Sequence, residues 1–406
     1  MSTGEFQQPS PQTLRWRVVG VAFALAVFAW GVGFYGPSIL LQALHAAHGW
    51  PISTISAAIT AHFLLSAAMV AYLPEAHRRF GLVHVTLAGI AASALGTLAW
   101  ANAQAPWQLF AAAIVSSAGW AATSGAAINA IVSPWFDRDR PKALSMAFNG
   151  ASIGGVLFPP LWAVLNSRIG LAATAAVVAA AMVAILAPLV AGIVRAPPAG
   201  LGGAPDGSLR RPEQRVGPGG LSRRELVRDR RFVRISGAFA LGLFAQVGLL
   251  AHLMTGLGPI LGSDGAAWAL SLVAASAVAG RTLLAWLLGS RNRRHAAAVN
   301  FLVQATGVVL LVQGGGAVPV LAGCVLLGAG VGNLISLPPL IAQQEFQAGD
   351  VARVVALLTA VNQAAFACAP AVFGVLRDLA GDYTAAFAVA ACAQVAAACI
   401  VASGRP

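Results

Sequence analysis

The sequence predicts an all-α membrane protein: twelve transmembrane helices in two six-helix bundles related by pseudo-two-fold symmetry. Three observations carry this. Of 406 residues, 58% are hydrophobic and only 9% are charged, and the mean hydropathy is +0.77; a water-soluble domain carries about 25% charged residues. The charges are clustered, leaving long apolar runs of the roughly 20 residues that a helix needs to cross about 30 Å of hydrocarbon. One polar segment, 196–231, divides these runs six and six. The runs are unbroken, unlike the short alternating segments of a membrane β-barrel. A soluble enzyme, a disordered chain and a nucleic-acid-binding domain are thereby excluded, despite the net charge of +12.

Taken in order, residues 1–16 form a polar tail. The first apolar run, 17–41, is too long for a signal peptide and lacks a cleavage site, so it reads as a retained span. Spans follow at 54–75, 82–102, 106–132, 143–166 and 171–195, completing a first bundle over 17–195. The segment 196–231 is rich in Pro, Gly and Arg and reads as a flexible cytoplasmic linker. The second bundle, 232–403, contains spans at 232–258, 267–289, 296–314, 317–341, 351–377 and 383–403.

The basic residues orient these spans. With the N-terminus in the cytoplasm, 22 of the 25 Lys and Arg fall on the inner side, among them Arg15, Arg17, Arg78, Arg79, Lys142, Arg293, Arg294 and nine arginines between Arg210 and Arg234. Arg168 and Arg377 lie outside, and Arg281 lies within a span. Positive charge is retained on the cytoplasmic side, and one missing helix would scramble that distribution. Both termini are thus expected in the cytoplasm. Only Lys142 is lysine, and Ala and Gly abound, which suggests a bacterial chain with a GC-rich gene and hence a multi-pass protein of the inner membrane. The four cysteines all fall in apolar runs and read as small buried hydrophobes. No His/Cys cluster has metal-ligand spacing, and no cofactor is expected.

The two halves resemble each other weakly. Span 4 runs from Gly119 to Trp135-Phe136 and span 10 from Gly330 to Glu345-Phe346; span 5 carries Asn149 before Pro159-Pro160, and span 11 carries Asn362 before Pro370. This six-plus-six layout resembles the major facilitator superfamily, whose resemblance implies a substrate site near the midplane between the halves and transport by alternating access. The segment Pro74–Gly81 (PEAHRRFG) resembles that superfamily's loop motif, Gly-x-x-x-Asp-Arg-x-Gly-Arg-Arg, only at Arg79 and Gly81; Arg78 stands where the Asp would be, and Glu75 is the available substitute in a gate. The plainer reading is that these arginines mark the inner face.

The segment Trp135–Gly155 (WFDRDRPKALSMAFNGASIGG) looks like the monocarboxylate transporter and oxalate–formate antiporter branch, with its aromatic-Phe pair, a basic loop containing Asp137, Arg138 and Arg140, and small residues at Ala147, Gly150 and Gly154 that let helices pack closely. Gly374, Asp378, Gly381 and Tyr383 match the same branch at the end of span 11. By this resemblance Arg281 is the span-8 arginine that binds the substrate carboxylate, a role suited to the planar guanidinium fork. Snorkelling to the inner face is the alternative. The branch's eukaryotic members carry an Asp four residues earlier and a Lys in span 1; this chain has Ala277 and, after Pro37, Ser38.

An ionisable group inside a span marks a functional site by default. None of the 13 acidic residues lies near a span centre, which leaves His62 and His252 as proton-coupling candidates or, equally, as helix-packing residues. By the superfamily resemblance, in which spans 1, 4, 7 and 10 line the cavity, Tyr35, Trp120, Asn149, Gln246, Asn333, Asn362 and Gln363 are cavity candidates; interhelical hydrogen bonding is the competing role for each. The linker arginines could meet anionic lipid headgroups. The expected function is transport of a small organic anion, a monocarboxylate, by a monomer, with protons as a candidate co-substrate. Drug or metabolite efflux and a non-transporting sensor of the same fold are the alternatives. No nucleophile–base set suggests an enzyme.

Overall fold

Within each half, long apolar helices separated by one to four residues fold back on one another, and this produces the bundle. The computed structural model describes residues 11–136, 139–194, 223–288, 292–313 and 315–403. Its helices are α1 (Thr13–His48), α2 (Ile52–Phe80), α3 (Leu82–Ala101), α4 (Pro106–Trp135), α5 (Arg140–Ile169) and α6 (Leu171–Ile193) in the first half. The second half holds α7 (230–261), α8 (263–288), α9 (Arg293–Gln313), α10 (Ala317–Glu345), α11 (348–380) and α12 (Thr384–Ala402). Among the described residues there is no strand.

Eleven continuous stretches are long and apolar enough to cross a membrane. The expected twelve appear because Arg230–Leu288 is two helices joined at Gly262, where φ 71° and ψ 172° reverse the chain. That backbone conformation is open to glycine and strained for other residues.

Four helices are interrupted. Helix α1 has a π-turn at Ala29–Phe34. Helix α4 breaks at Ser124, where ψ is −153°; α10 breaks at Gly332. Helix α11 breaks at Cys368, two residues before Pro370, which has no N–H to continue the ladder. At membrane depth such breaks persist where protein or a cavity satisfies the backbone, and π-turns recur at functional sites.

Two expectations change. The segment Pro74–Gly81 is not a loop: α2 continues through Pro74 to Phe80, and Gly81 at φ 82° ends it. The expected linker is described only from residue 223, where Arg223–Arg228 forms a short helix ahead of α7; Asp137 and Arg138 lie outside the described residues. Of the four cysteines only Cys324 is buried, while Cys368, Cys392 and Cys399 are exposed on helix faces.

The hydrophobic cores reveal how the halves meet. At the end where α1 starts and α12 finishes, each half has its own core. Leu25, Ile131, Trp135 and Phe136 form one, and Phe239, Phe301, Leu337 and Phe346 form the other. At the opposite end a shared core joins Tyr35, Phe158 and Trp162 of the first half to Leu249, Leu253, Val273 and Phe373 of the second. The second half's own core is pinned by a buried ion pair. Arg294, 3% exposed, grips Glu345 with two nitrogens, one of them at 2.6 Å, and donates to the Val401 carbonyl at 3.1 Å. It ties α9, α10 and α12 together, so this arginine does more than orient a span. Nearby, outside the spans, the hydrogen bond from Arg231 holds the Asp229 carboxyl below the usual carboxylate range.

Candidate functional site

The space between the halves is sealed at the end opposite the termini. There Asp378 accepts a hydrogen bond of 2.8 Å from the Ser53 N–H. This places a carboxylate of α11 on the positive N-terminus of α2, which favours anions. Ser38 accepts from the Met254 N–H at 3.3 Å, Thr60 from the Ala371 N–H at 3.0 Å, and Ser271 donates to the Val156 carbonyl at 2.8 Å. Glycine permits the approach at one point in particular: a Cβ on Gly374 would stand 2.7 Å from Ser56 Oγ and 3.0 Å from Ser53 Cα.

His252 sits in this seal. Its Nε2 lies 2.9 Å from the Pro370 carbonyl and 3.3 Å from Ser56 Oγ, and its Nδ1 lies 3.0 Å from the Tyr383 hydroxyl. A carbonyl only accepts, so Nε2 carries a proton and donates to it. Of the two histidines singled out in the sequence, His252 therefore touches both halves. His62 does not: it lies inside the first half, with Nδ1 2.8 Å from Ser116 Oγ, beside a pocket lined by Trp100, Trp120 and Trp162.

Exposure along the helices locates the seal's inner edge. On α1 the residues Val32, Gly33 and Phe34 are half-buried, and every residue from Tyr35 to Leu41 is buried. On α7 Phe244 is half-buried and 245–254 are all buried. The fully buried contact between the halves thus begins at the level of Tyr35 and Gln246.

Arg281 of α8 lies at that level. Its Nη2 makes a long 3.5 Å hydrogen bond to Ser152 Oγ of α5, across the gap, and its Nε is buried without a hydrogen-bond partner. None of the ion pairs among the described residues includes it. The Tyr35 ring lies against Gly155, one turn along α5 from Ser152. The guanidinium is seated by Gly332 at the α10 break, where a Cβ would come within 2.7 Å of Nε. Snorkelling to the inner face does not describe this geometry: the head of the side chain points across to the other half.

The remaining candidates separate. Asn149 is exposed and Gln363 half-buried, both on the helices that flank the gap. Trp120 is half-buried and packs in an aromatic group with Trp30 and Phe34. Asn333 does not line the gap; it is 3% exposed and donates to Asn300 Oδ1 at 2.8 Å and the Ala329 carbonyl, within its own half. Gln246 and Asn362 are buried, each with a side-chain oxygen that has no hydrogen-bond partner. Glu75 pairs with Arg78 one turn away on exposed helix surface, and Arg79 stacks on Phe80, so neither reaches the other half. Arg140 donates to the Phe136 carbonyl at 3.2 Å, fixing the start of α5.

Sequence reasoning missed Ser152, Trp30, Phe34, Phe148 and Phe366. The aromatic residues carried a usable signal, since Trp30, Phe34 and Phe148 sit close in sequence to Tyr35 and Asn149. Ser152 had none, because a serine in a transmembrane helix is ordinary.

Residues 21–370 match the family model of the Major Facilitator Superfamily. No curated protein matches the sequence. Among solved structures, a nucleoside transporter, NupG, superposes with a TM-score of 0.73 at 16% identity, covering 96% of this chain and 98% of that one. A peptide transporter, POT, in complex with sulfate gives 0.73 at 14% identity over 98% of each. A bacterial homolog of the human lysosomal transporter Spinster, in an inward-facing and unoccupied conformation, gives 0.68 at 13% identity over 98% of this chain and 95% of that one. These likenesses establish the fold.

Proposed function

The chain belongs to the Major Facilitator Superfamily, and from that premise we propose that it carries a small organic anion, a monocarboxylate, across the inner membrane of a bacterium by alternating access. The observation that carries the reading is Arg281: a guanidinium between the halves, with no carboxylate partner among the described residues and a buried Nε that lacks an acceptor. A cation at membrane depth costs several kcal/mol unless something compensates it. A substrate carboxylate would accept the bidentate pair that guanidinium geometry offers and neutralise the charge while the halves close over it.

With both termini in the cytoplasm, as the distribution of basic residues supports, the sealed end faces outward and the gap opens inward. Anion release would then reset the carrier, the halves rocking about the level of Tyr35 and Arg281. His252 is the better-placed coupling group, because both halves contact it. Protonation at Nδ1 would turn the ring from acceptor to donor toward Tyr383 and so alter the seal.

The test is uptake of labelled lactate or pyruvate into proteoliposomes. Arg281→Gln removes charge-assisted hydrogen bonds that contribute about 1.5–3 kcal/mol and should lower kcat/KM roughly 10- to 100-fold; an unchanged value rejects the anion site. If uptake follows a pH gradient, the His62→Ala, His252→Ala double variant should lose that dependence, with most of the loss already present in His252→Ala. Undiminished gradient-driven uptake in the double variant would remove both histidines from the mechanism.

A further inference from the structure

On the first half's side of Arg281 a group of aromatic rings packs together. Trp30 of the α1 π-turn packs on Trp120 of α4 with centroids 5.2 Å apart and on Phe148 of α5 at 5.9 Å. Phe34 lies nearly parallel to Trp120 at 6.3 Å and edge-on to Tyr35 at 5.3 Å. Tyr35 in turn has its ring pressed against Gly155, one turn along α5 from Ser152, the residue that the guanidinium reaches. The rings thus run from the stretch of α5 that Arg281 reaches, through Tyr35 and Phe34, to Trp120 of α4. Phe366 of α11 closes on the group from the second half, 5.9 Å from Phe63. Trp30, Phe34, Trp120, Phe148 and Phe366 are all half-buried, and Trp30 and Phe34 pack against the core that joins the halves.

We propose that the anion carried is an aromatic monocarboxylate, with its carboxylate on Arg281 and its ring stacked among Trp30, Phe34 and Trp120. This rests on the carboxylate reading above and narrows it. A site with one cation and an uncharged aromatic wall selects by what it lacks. An amino acid's ammonium would lack a partner, since no ion pair among the described residues brings a carboxylate to Arg281. A sugar or nucleoside would leave hydroxyls unpaired against ring faces, which costs binding free energy. Formate, acetate and lactate would satisfy the guanidinium and leave the rings without a partner. A flat ring gains offset-stacked or edge-to-face contacts with the same rings. The π-turn contributes by placing Trp30 and Phe34, four residues apart, on the side of α1 that faces α4.

The experiment measures binding of labelled benzoate to the purified full-length chain, with competition by acetate, lactate, phenylacetate and cyclohexanecarboxylate. Benzoate and phenylacetate should compete at least tenfold better than acetate, lactate or cyclohexanecarboxylate. Trp120→Ala should weaken benzoate binding at least tenfold and abolish that preference, and Trp120→Phe should restore both; Phe34→Leu offers the same comparison if Trp120→Ala does not fold. Equal competition by acetate and benzoate, a cyclohexane ring as good as a phenyl ring, or a preference that survives both substitutions overturns the proposal while the carboxylate reading stands. Binding that no carboxylate shows, together with an Arg281→Gln variant identical to wild type, removes both.

Discussion

The two ends of the molecule are built from the same kinds of residue and behave in opposite ways. At the end opposite the termini the halves share one core, and hydrogen bonds cross between them from Ser53 to Asp378, Ser38 to Met254 and Thr60 to Ala371. At the termini's end each half closes on itself, the second around Arg294 and Glu345. Strong polar contacts thus act within a half at one end and between halves at the other. The contacts between halves are single hydrogen bonds that can exchange; the contact within the second half is a buried, doubly bonded ion pair that cannot open without exposing a charge. Rigid halves and an exchangeable seal are what rocking requires.

Replacing Arg294 with Met should give the largest effect on that contrast. It leaves the largely buried Glu345 carboxylate without this partner, a loss of about 3 kcal/mol, read as a sharp fall in the unfolding temperature in detergent with the seal at the other end unchanged. Next is Gly374→Leu. Its side chain has no room beside Ser56 and Ser53, and overpacking costs about 1–3 kcal/mol. The halves should part at the sealed end, making a cysteine placed at Ser53 reactive to a water-soluble maleimide, with little change in unfolding temperature. If Ser53→Cys stays unreactive in that background, the sealed end is not held by this contact.

A smaller shift is expected from Asp378→Asn, which keeps an acceptor for the Ser53 N–H and loses the charge. Charge-assisted hydrogen bonds are about twice as strong as neutral ones, so the population open at that end should rise by roughly fivefold, about 1 kcal/mol, measured by electron–electron distance between spin labels on α2 and α11. Smallest is the acid response of the termini's end. The Asp229 carboxyl is held down by Arg231, so its contribution to stability is complete above the ordinary carboxylate pKa and fades as pH falls through the lower folded value. Asp229→Asn should flatten that acid limb slightly and leave stability at neutral pH nearly as it was; an unaltered acid limb would show that the contact contributes nothing.

Much of this fold was legible in the sequence because a bilayer imposes a simple rule on composition. The apolar runs, the polar division at 196–231 and the placement of basic residues pointed to twelve spans in two halves, and the structure differs chiefly at ends, as where α2 runs on to Phe80. Arg281 was legible for the same reason: a lone charge in an apolar run stands out. The neutral polar candidates were harder. Asn333 and Gln363 look alike in sequence, yet one is buried and bonded to Asn300 inside its half and the other is half-buried. Helical phase alone does not separate them, since both faces of a central helix are apolar.

By itself the sequence determined that the chain spans a membrane twelve times, that its basic residues gather on one side, and that one arginine lies where charge is costly. Those properties follow from local hydropathy and need no partner. Only the tertiary structure decided which end is sealed, that His252 rather than His62 joins the halves, and that Arg281 reaches Ser152 of the other half. Each depends on which helices meet, and residues 325 positions apart, such as Ser53 and Asp378, carry no local mark of the hydrogen bond between them.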